Sequence, residues 1–388
     1  MRTAGFANGL RVHMSPLDGD KSSLQSCRGR SGVRYSHYNQ DGAARSCRMK
    51  GKTEILGLVF LAVAGAAIAI MTTHAVLLAL VAALPAAHAQ TGKWPDKPVR
   101  TIVPMAAGGN GDTIARLIAA RLSEEFGQQF IIDNRPGAGG SVGALIVVRA
   151  NPDGYTLIVM SSSYAANAAL YKLSYDPIRD IAPVGLVGII PFILAVNPSV
   201  KVMNLKDFIE LARAKPRALN VGSPGTGSTP HLAVALFQQM TKTDMLHVPY
   251  KSEPIAIADL LSGQIQAIAA TGLVLGPHIK EGKLRALAVT TEQRSPAMPD
   301  LPAISELVPG YSADGWAGMW APAETSKEIV ARLNQALARI LKQPDVQERL
   351  RAVGMEPAHT TPQEFARFIA QEIAKWLKVV KVGNIKID

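Results

Sequence analysis

The stretch Thr101 to Leu122, TIVPMAAGGNGDTIARLIAARL, decides the fold class of this chain. Its pattern predicts a short apolar strand, a loop containing Gly108, Gly109 and Gly111, and a helix with its apolar residues on one face. Asp112 is the residue that we expect to cap this helix. A helix start approached through glycines exposes N–H donors and a partial positive charge, which suits a carboxylate or a phosphate. A tight strand-to-helix turn without a ligand is the alternative.

The stretch Leu219 to Met240, LNVGSPGTGSTPHLAVALFQQM, has the same design more than 100 residues later. A short strand leads into three glycines, followed by Ser228 or Thr229 as the helix cap and by Pro230 in the first helical turn. Two such helix starts, far apart in the chain, indicate the two jaws of one anion-binding cleft.

Charge and cysteine content exclude some classes of function. The first 89 residues hold 10 of the 41 Lys and Arg and 4 of the 30 Asp and Glu, so the remainder has 31 against 26 and carries about +5. Basic residues do not alternate with aromatic ones along any stripe, so nucleic acid is not an expected partner. Cys27 and Cys47 both lie in the N-terminal part, and the remaining chain needs no disulfide.

The N-terminal part indicates export. Residues 1–48 are polar, basic and aperiodic, which predicts a disordered or wrongly assigned extension. Residues 49–89 predict an export signal, because lysines precede a long apolar run and Ala87-His88-Ala89 form a cleavage site before Gln90. A periplasmic protein is therefore expected. The alternative is a retained anchor, since Ile55 to Ala83 is long enough to span a bilayer.

The 299 residues after Ala89 suit two lobes rather than one core. Predicted strands alternate with helices, which indicates an α/β fold in layers. We expect residues 90–196 and 313–388 to form a discontinuous first lobe and residues 197–312 to form the second, with crossings near Asn197 and Gly315. The buried strand Tyr155 to Met160 is followed by polar residues, and open α/β sheets bind ligands at such strand ends.

One catalytic motif in the sequence competes with this binding interpretation. Gly139 to Gly143 match the G-x-S-x-G pattern around Ser141, so a secreted serine hydrolase is the alternative from another class. A nucleophile elbow requires a strand that leads directly into the turn, however, and helix capping by Ser141 explains the pattern better. The histidines after residue 89 are scattered and no nucleotide fingerprint is complete, so neither a metal nor a cofactor is expected.

Seven motifs follow one another after residue 89, and in chain order they are VPMAAGGNGD, NRPGAGGSVGA, NPDGYTLIV, SYAANAALY, GSPGTGSTPHLAVALF, HVPYK and GPHIKEGKLRALAVT. Together they resemble the Bug family, the extracytoplasmic solute receptors of tripartite tricarboxylate transporters. The resemblance covers Trp94 to the C-terminus. It implies a two-lobed type II periplasmic-binding-protein fold, with each lobe a mostly parallel sheet flanked by helices and a ligand cleft between the lobes.

The resemblance also implies a function without catalysis, in which a small organic carboxylate is captured and delivered to a membrane permease. A monomer is expected, and an orphan or sensor-coupled receptor without a transporter is the alternative within this class. Twelve residues of this sequence then become candidates for binding the ligand, and they are Ala107, Gly108, Gly109, Asp112, Ser163, Asn167, Ser223, Gly225, Gly227, Ser228, His231 and Thr271.

Four positions depart from the pattern of the family. Tyr164 stands where His is common, Ser252 replaces a frequent Gly, and Gln266 and Ala270 occupy strand positions that are often acidic. A ligand ammonium group would then lack a charged partner in the cleft, unless Asp112 or Glu253 reached it. We therefore expect di-, tri- or aromatic carboxylates without an amino group as ligands.

The export hypothesis predicts where the exported protein begins. We expect protein recovered from the native periplasm to start near Gln90, because the small-x-small site lies directly before it. N-terminal sequencing and intact mass measure this. A periplasmic species that retains Ile55 to Ala83 would contradict cleavage and indicate a tethered receptor.

Overall fold

The computed structural model describes residues 94–387, together with Gly65 and Met71. Residues 94–387 lie in a compact unit, His88–Asp388. The predicted extension at residues 1–48 lies outside the described residues, as does the export signal at residues 49–89 apart from Gly65 and Met71. None of the helices in the described part is both long and apolar enough to cross a membrane.

A six-stranded sheet forms the first lobe, and its strands lie in the order β11-β4-β10-β3-β1-β2. Most of its strands are apolar and buried, as expected for strands covered by helices on both faces. β1 pairs in parallel with β2 and β3, whereas β10 pairs antiparallel with β3 and β4. The strands are β1 (Val99–Val103), β2 (Phe130–Asn134), β3 (Thr156–Ser161), β4 (Ile181–Ile190), β10 (Gly315–Pro322) and β11 (Glu356–Pro357).

A five-stranded sheet forms the second lobe, in the order β7-β6-β8-β5-β9. β6 pairs in parallel with β7 and β8, and β5 is the strand that runs against its neighbours. In each sheet four strands share one direction, so the mostly parallel α/β architecture predicted from the sequence is confirmed. The strands are β5 (Phe192–Val196), β6 (Asn220–Ser223), β7 (Leu246–Pro249), β8 (Ala267–Thr271) and β9 (Arg285–Val289).

Ten helices of the described part flank these sheets. One hydrophobic cluster runs from the first lobe to the second and contains Tyr164, Phe237, Trp316 and Trp376, so the lobes share part of their core. The helices are α1 (Asn110–Phe126), α2 (Ser141–Val148), α3 (Ser163–Leu170), α4 (Leu205–Ala214), α5 (Thr229–Thr241), α6 (Glu253–Ser262), α7 (Gly272–Lys280), α8 (Lys327–Ile340), α9 (Pro344–Ala352) and α10 (Pro362–Val382).

The chain first changes sheet at Pro191, between β4 and β5. This is earlier than the predicted crossing near Asn197, and β5 belongs to the second sheet rather than to the first lobe. Asn197 lies inside the second lobe, where its Nδ2 donates to the Leu260 carbonyl at 2.7 Å. The sequence placed the crossing too far along the chain because the apolar run continues past Pro191. A proline has no N–H for the ladder, so it is the point where the strand can leave its sheet.

The return crossing lies next to the first one and is held by a buried polar contact. The Thr290 hydroxyl accepts from the Phe192 N–H at 3.1 Å and donates to the Asp314 carboxylate at 2.9 Å. The Ser312 hydroxyl donates to the same carboxylate at 3.3 Å. Burial raises the pKa of Asp314 to about 7, although these hydrogen bonds and the nearby Lys375 oppose the shift.

The raised pKa of Asp314 makes stability depend on pH. The folded pKa lies above the ordinary value of 3.8, so folding takes up a proton between these two values. The stability that this group contributes is complete below about pH 4 and is lost as the pH rises through 7. Each unit of difference between the two pKa values corresponds to about 1.4 kcal/mol.

Asp314→Asn should stabilise the protein at pH 8, because it removes the buried charge and keeps an acceptor for Thr290. The gain should shrink toward pH 4, where the wild-type carboxyl group is neutral in both states. Urea unfolding at pH 5 and pH 8 measures it. Asp300→Asn, on an exposed loop, is the control, and an equal gain at both pH values would contradict the titration of Asp314.

Candidate functional site

The carboxyl ends of the parallel strands of the two lobes meet. Ser162 directly follows β3 of the first sheet, and Thr229 begins α5 just after the loop that follows β6. Their hydroxyl oxygens lie 3.0 Å apart, and both residues are buried. The two predicted glycine loops therefore lie on facing edges, where an open α/β sheet binds its ligand.

The first loop is exposed and offers free donors. Ala107, Gly108 and Gly109 are exposed, and Gly108 has φ +81°, a conformation that favours glycine. Among the residues described, the N–H groups of Ala107, Asn110 and Gly111 make no hydrogen bond to another protein group. They lie at the N-terminus of α1, where the helix dipole also favours an anion.

Asp112 holds this loop from behind instead of facing the ligand. α1 begins at Asn110, so Asp112 lies inside its first turn and is not the N-cap residue that the sequence indicated. Its carboxylate accepts from the Gly108 N–H at 2.9 Å, from Arg116 at 2.8 Å and from Asn134 at 2.8 Å. Burial raises the pKa of Asp112, but these donors outweigh it and hold the pKa below its ordinary value. Its charge is already paired, so it stabilises the loop.

The polar end of β3 supports a neighbouring loop. Asn167 is buried in α3, and its Nδ2 donates to the Gly139 carbonyl at 2.7 Å. The Ser163 hydroxyl lies 3.0 Å from that of Ser161 and is only partly buried. Of the predicted pair, Ser163 is the one that remains accessible, whereas Asn167 positions the chain.

Ser141 has no strand leading into it. β2 ends at Asn134, and a 3₁₀ turn at residues 138–140 separates it from α2, which begins at Ser141. Within the part of the chain that the structure describes, no histidine hydrogen bonds to Ser141. The geometry of a nucleophile elbow is therefore not formed at this position.

The second loop is closed by hydrogen bonds between its own residues. The Ser223 hydroxyl accepts from the Gly225 N–H at 3.2 Å, and the Ser228 hydroxyl donates to the Gly225 carbonyl at 2.7 Å. Ser228 also caps α5, because its oxygen accepts from the His231 N–H at 3.4 Å. Gly225 and Gly227 have φ of +130° and +80°, so this closed turn requires glycine at both positions.

Two histidines stack beneath this loop. The rings of His231 and His247 lie 3.7 Å apart and nearly parallel. His231 Nδ1 accepts from the Gly227 N–H at 3.0 Å, and His247 Nε2 lies 2.7 Å from the Ser223 hydroxyl. Sequence spacing did not reveal the pair, because His247 is brought to the loop by β7 pairing alongside β6.

Both histidines are neutral at pH 7. Burial, together with the neighbouring His247, lowers the pKa of His231 to about 3, and burial lowers the pKa of His247 to about 4. They therefore support the loop as uncharged groups and do not attract an anion by charge. Among the described residues, no cluster of three or more His, Cys, Asp or Glu could hold a metal ion.

Thr226 is a candidate that sequence reasoning missed. It is exposed at the tip of the second loop, and its N–H makes no hydrogen bond to another described residue. The N–H groups of Gly225 and Gly227, by contrast, are already used within the protein. The two glycines thus shape the loop, and Thr226 offers the free donor.

The end of β8 brings together Thr271 and Glu253. The Thr271 hydroxyl donates to Glu253 Oε2 at 3.4 Å. Gln266 lies at the other end of this strand and bonds Asn220 and Gly263, and Ala270 is completely buried in the core. Neither of these two residues faces the cleft, so they cannot decide the ligand class as the sequence argument assumed.

Tyr164 also points away from the cleft. It is completely buried, and its hydroxyl donates to the Pro177 carbonyl at 2.5 Å. This departure from the pattern of the resembled family therefore changes the core of the first lobe and leaves the cleft unchanged.

Comparison with known proteins agrees with this geometry. Residues 114–385 match the tripartite tricarboxylate transporter family receptor. The chain belongs to this receptor family. BugT of Bordetella pertussis is 34% identical over 306 residues, which are 78% of this chain and 94% of BugT. The receptors of the family are periplasmic solute-binding proteins.

Two solved structures of such proteins carry bound acids. Rpa4515 of R. palustris, solved with adipate, is 40% identical with a TM-score of 0.64 and covers 76% of this chain and 99% of its own. MatC from Rhodopseudomonas palustris, solved with bound malate, is 34% identical with a TM-score of 0.60 and covers 74% of this chain and 100% of its own. The two-lobed type II fold implied by the sequence is confirmed.

The hydrogen bonds of Ser228 indicate that its hydroxyl caps the helix and does not contact the ligand. Its one proton is given to the Gly225 carbonyl, so its oxygen can only accept, and a carboxylate has no proton to donate. Ser228→Ala should cost about 1 kcal/mol of unfolding free energy and weaken ligand binding less than tenfold. Chemical denaturation and calorimetric titration measure the two effects.

Ser326→Ala is the matched control, because Ser326 caps α8 by accepting from the Ile329 N–H at 3.2 Å. It should show a similar stability loss and unchanged binding. A loss of affinity well above tenfold in Ser228→Ala alone would place this hydroxyl in direct contact with the ligand.

Proposed function

We propose that this chain is an exported receptor that captures a small dicarboxylate between its lobes and delivers it to a membrane permease without catalysis. The observation that carries the proposal is the meeting of two loops with free N–H donors on the facing edges of the two sheets. The proteins solved with adipate and malate support the choice of a dicarboxylate without an amino group. In this proposal the signal is cleaved near Ala89 and the receptor acts as a monomer.

The proposed contacts are mainly backbone groups. The first loop offers the N–H groups of Ala107, Asn110 and Gly111, and the second offers that of Thr226. The hydroxyl of Ser163 completes the set, while that of Thr271 donates to Glu253. Gly108, Gly109, Gly225 and Gly227 shape the loops, while Asp112, Asn167, Ser223, Ser228 and His231 hold them in place.

The proposed contacts include no Lys or Arg side chain that would form an ion pair with the ligand. This fits a receptor that must also release its ligand. A fully ionised dicarboxylate would be held by N–H dipoles and hydroxyl protons, each of which contributes modestly. Because both lobes supply donors, the ligand favours the state in which the lobes are close together.

Adipate and malate should stabilise the mature protein saturably. At a hundred times the Kd, a ligand adds about 2.7 kcal/mol, which for a chain of this size is a melting shift of roughly 4 °C. Thermal shift measures stabilisation, and NMR of the ligand after long incubation should show no turnover.

Adipamide has the same carbon skeleton without charge and is the matched control, with no shift expected. A shift with aspartate or glutamate but none with adipate, malate, succinate or citrate would contradict the proposed ligand class. Conversion of the acid into a product would contradict a function without catalysis.

A further inference from the structure

Glu253 lies at the cleft edge of the second lobe. It begins α6, three residues after Tyr250, whose N–H donates to the Ser223 carbonyl at 2.9 Å. Its carboxylate accepts from the hydroxyl of Thr271, the last residue of β8. Since β6 lies between β7 and β8, Glu253 lies beside the ends of the same strands that carry the second loop.

This carboxylate lies in the first turn of α6 and has no basic side chain paired with it in the described part of the chain. Among the ion pairs within residues 94–387, none includes Glu253. Lys251 is exposed, and on α7 the nearest basic residues, His278 and Lys280, lie in the last turn, away from Thr271. A half-buried carboxylate without a basic partner is unusual at an edge that otherwise offers donors.

The remaining titratable groups at this edge have other partners. His247 is bonded to Ser223, and the Tyr250 hydroxyl donates to Asp259 at 2.8 Å. On the facing lobe the carboxylate of Asp112 is paired behind its loop. Burial raises the pKa of Glu253, against the opposing hydrogen bonds from Thr271. Glu253 is therefore the carboxyl group at this edge that has no basic partner and whose pKa is raised by burial.

We propose that Glu253 takes up one proton from solvent when a dicarboxylate dianion binds, and that its carboxyl group then donates a hydrogen bond to the ligand. This inference rests on the proposed function. A dianion placed beside an ionised Glu253 is repelled, and two close carboxylates relieve this repulsion by sharing one proton. The receptor would accordingly prefer the protonated form of Glu253 and bind dicarboxylates more weakly as the pH rises.

The expected signature is a linkage between binding and pH. With adipate as the probe, the Kd of the wild-type mature protein should rise toward tenfold per pH unit between pH 7 and pH 8.5. Calorimetric titration in buffers of different ionisation enthalpy should show uptake of nearly one proton at the upper end of this range. Adipate itself stays fully ionised there, because ordinary carboxyl groups titrate near pH 4.

Glu253→Gln tests the assignment, since the amide donates a hydrogen bond at every pH. Its Kd for adipate should vary little over the same range, its proton uptake should be smaller by nearly one, and it should bind more tightly than wild type at pH 8.5. Uptake retained in this variant would belong to another group, such as Asp314. Glu348→Gln removes an exposed carboxylate on α9 and should behave as wild type.

Four outcomes would overturn the inference. Equal proton uptake in wild type and Glu253→Gln would assign the proton elsewhere, and adipate binding without uptake in the wild type would remove the linkage. Tighter wild-type binding of 2-aminoadipate than of adipate, reversed in Glu253→Gln, would make Glu253 an ionised partner of an ammonium group. If neither adipate nor malate gave saturable heat with any of the three proteins, the proposed function would fail together with the inference.

Discussion

The cleft depends on the two crossings between the sheets, and these depend on Pro191. Because a proline cannot donate to the ladder, the chain leaves the first sheet there and continues immediately as β5 of the second sheet. β10 returns next to it and runs against β3 and β4, as β5 runs against β8 and β9 in the second sheet. Thr290 bonds both the outgoing strand at Phe192 and the returning segment at Asp314, which keeps the two crossings side by side. The remaining strands can then direct their carboxyl ends toward the same space.

In the proposed function, recognition of an anion at this edge relies on dipoles. The two histidines are neutral, and Arg116 is occupied by Asp112. Helix N-termini and free N–H groups attract an anion without the cost of burying a cation. Such groups also leave the selection among carboxylates to the shape of the cleft and to a few side chains. In the inference above, Glu253 is one of these few side chains, so its protonation changes the affinity for a carboxylate.

The sequence predicted the fold and both loops, because glycines, helix caps and apolar periodicity are local signals. It did not predict which polar residues face the ligand. Asp112 was interpreted as a cap and a contact, yet its carboxylate lies behind the loop, since Asn134 and Arg116 reach it only in the folded chain. His247 reached the site through the pairing of β7 with β6, which residue spacing does not show. Gln266 was also expected in the cleft. The sequence shows that it lies on a strand, but it does not show that this end of the strand is the one away from the cleft.

The two loops differ in how they are fixed, and this difference bears on how a ligand is held. The second loop is closed by hydrogen bonds among Ser223, Gly225 and Ser228, so its shape is set before a ligand arrives. In the first loop the carboxylate of Asp112 holds Gly108, while several N–H groups remain free. A preformed loop loses little conformational entropy on binding, whereas a looser one can adjust to ligands of different length. In the proposed function, the second loop is therefore the fixed anchor for a carboxylate, and the first loop is the surface that adapts to the rest of the ligand.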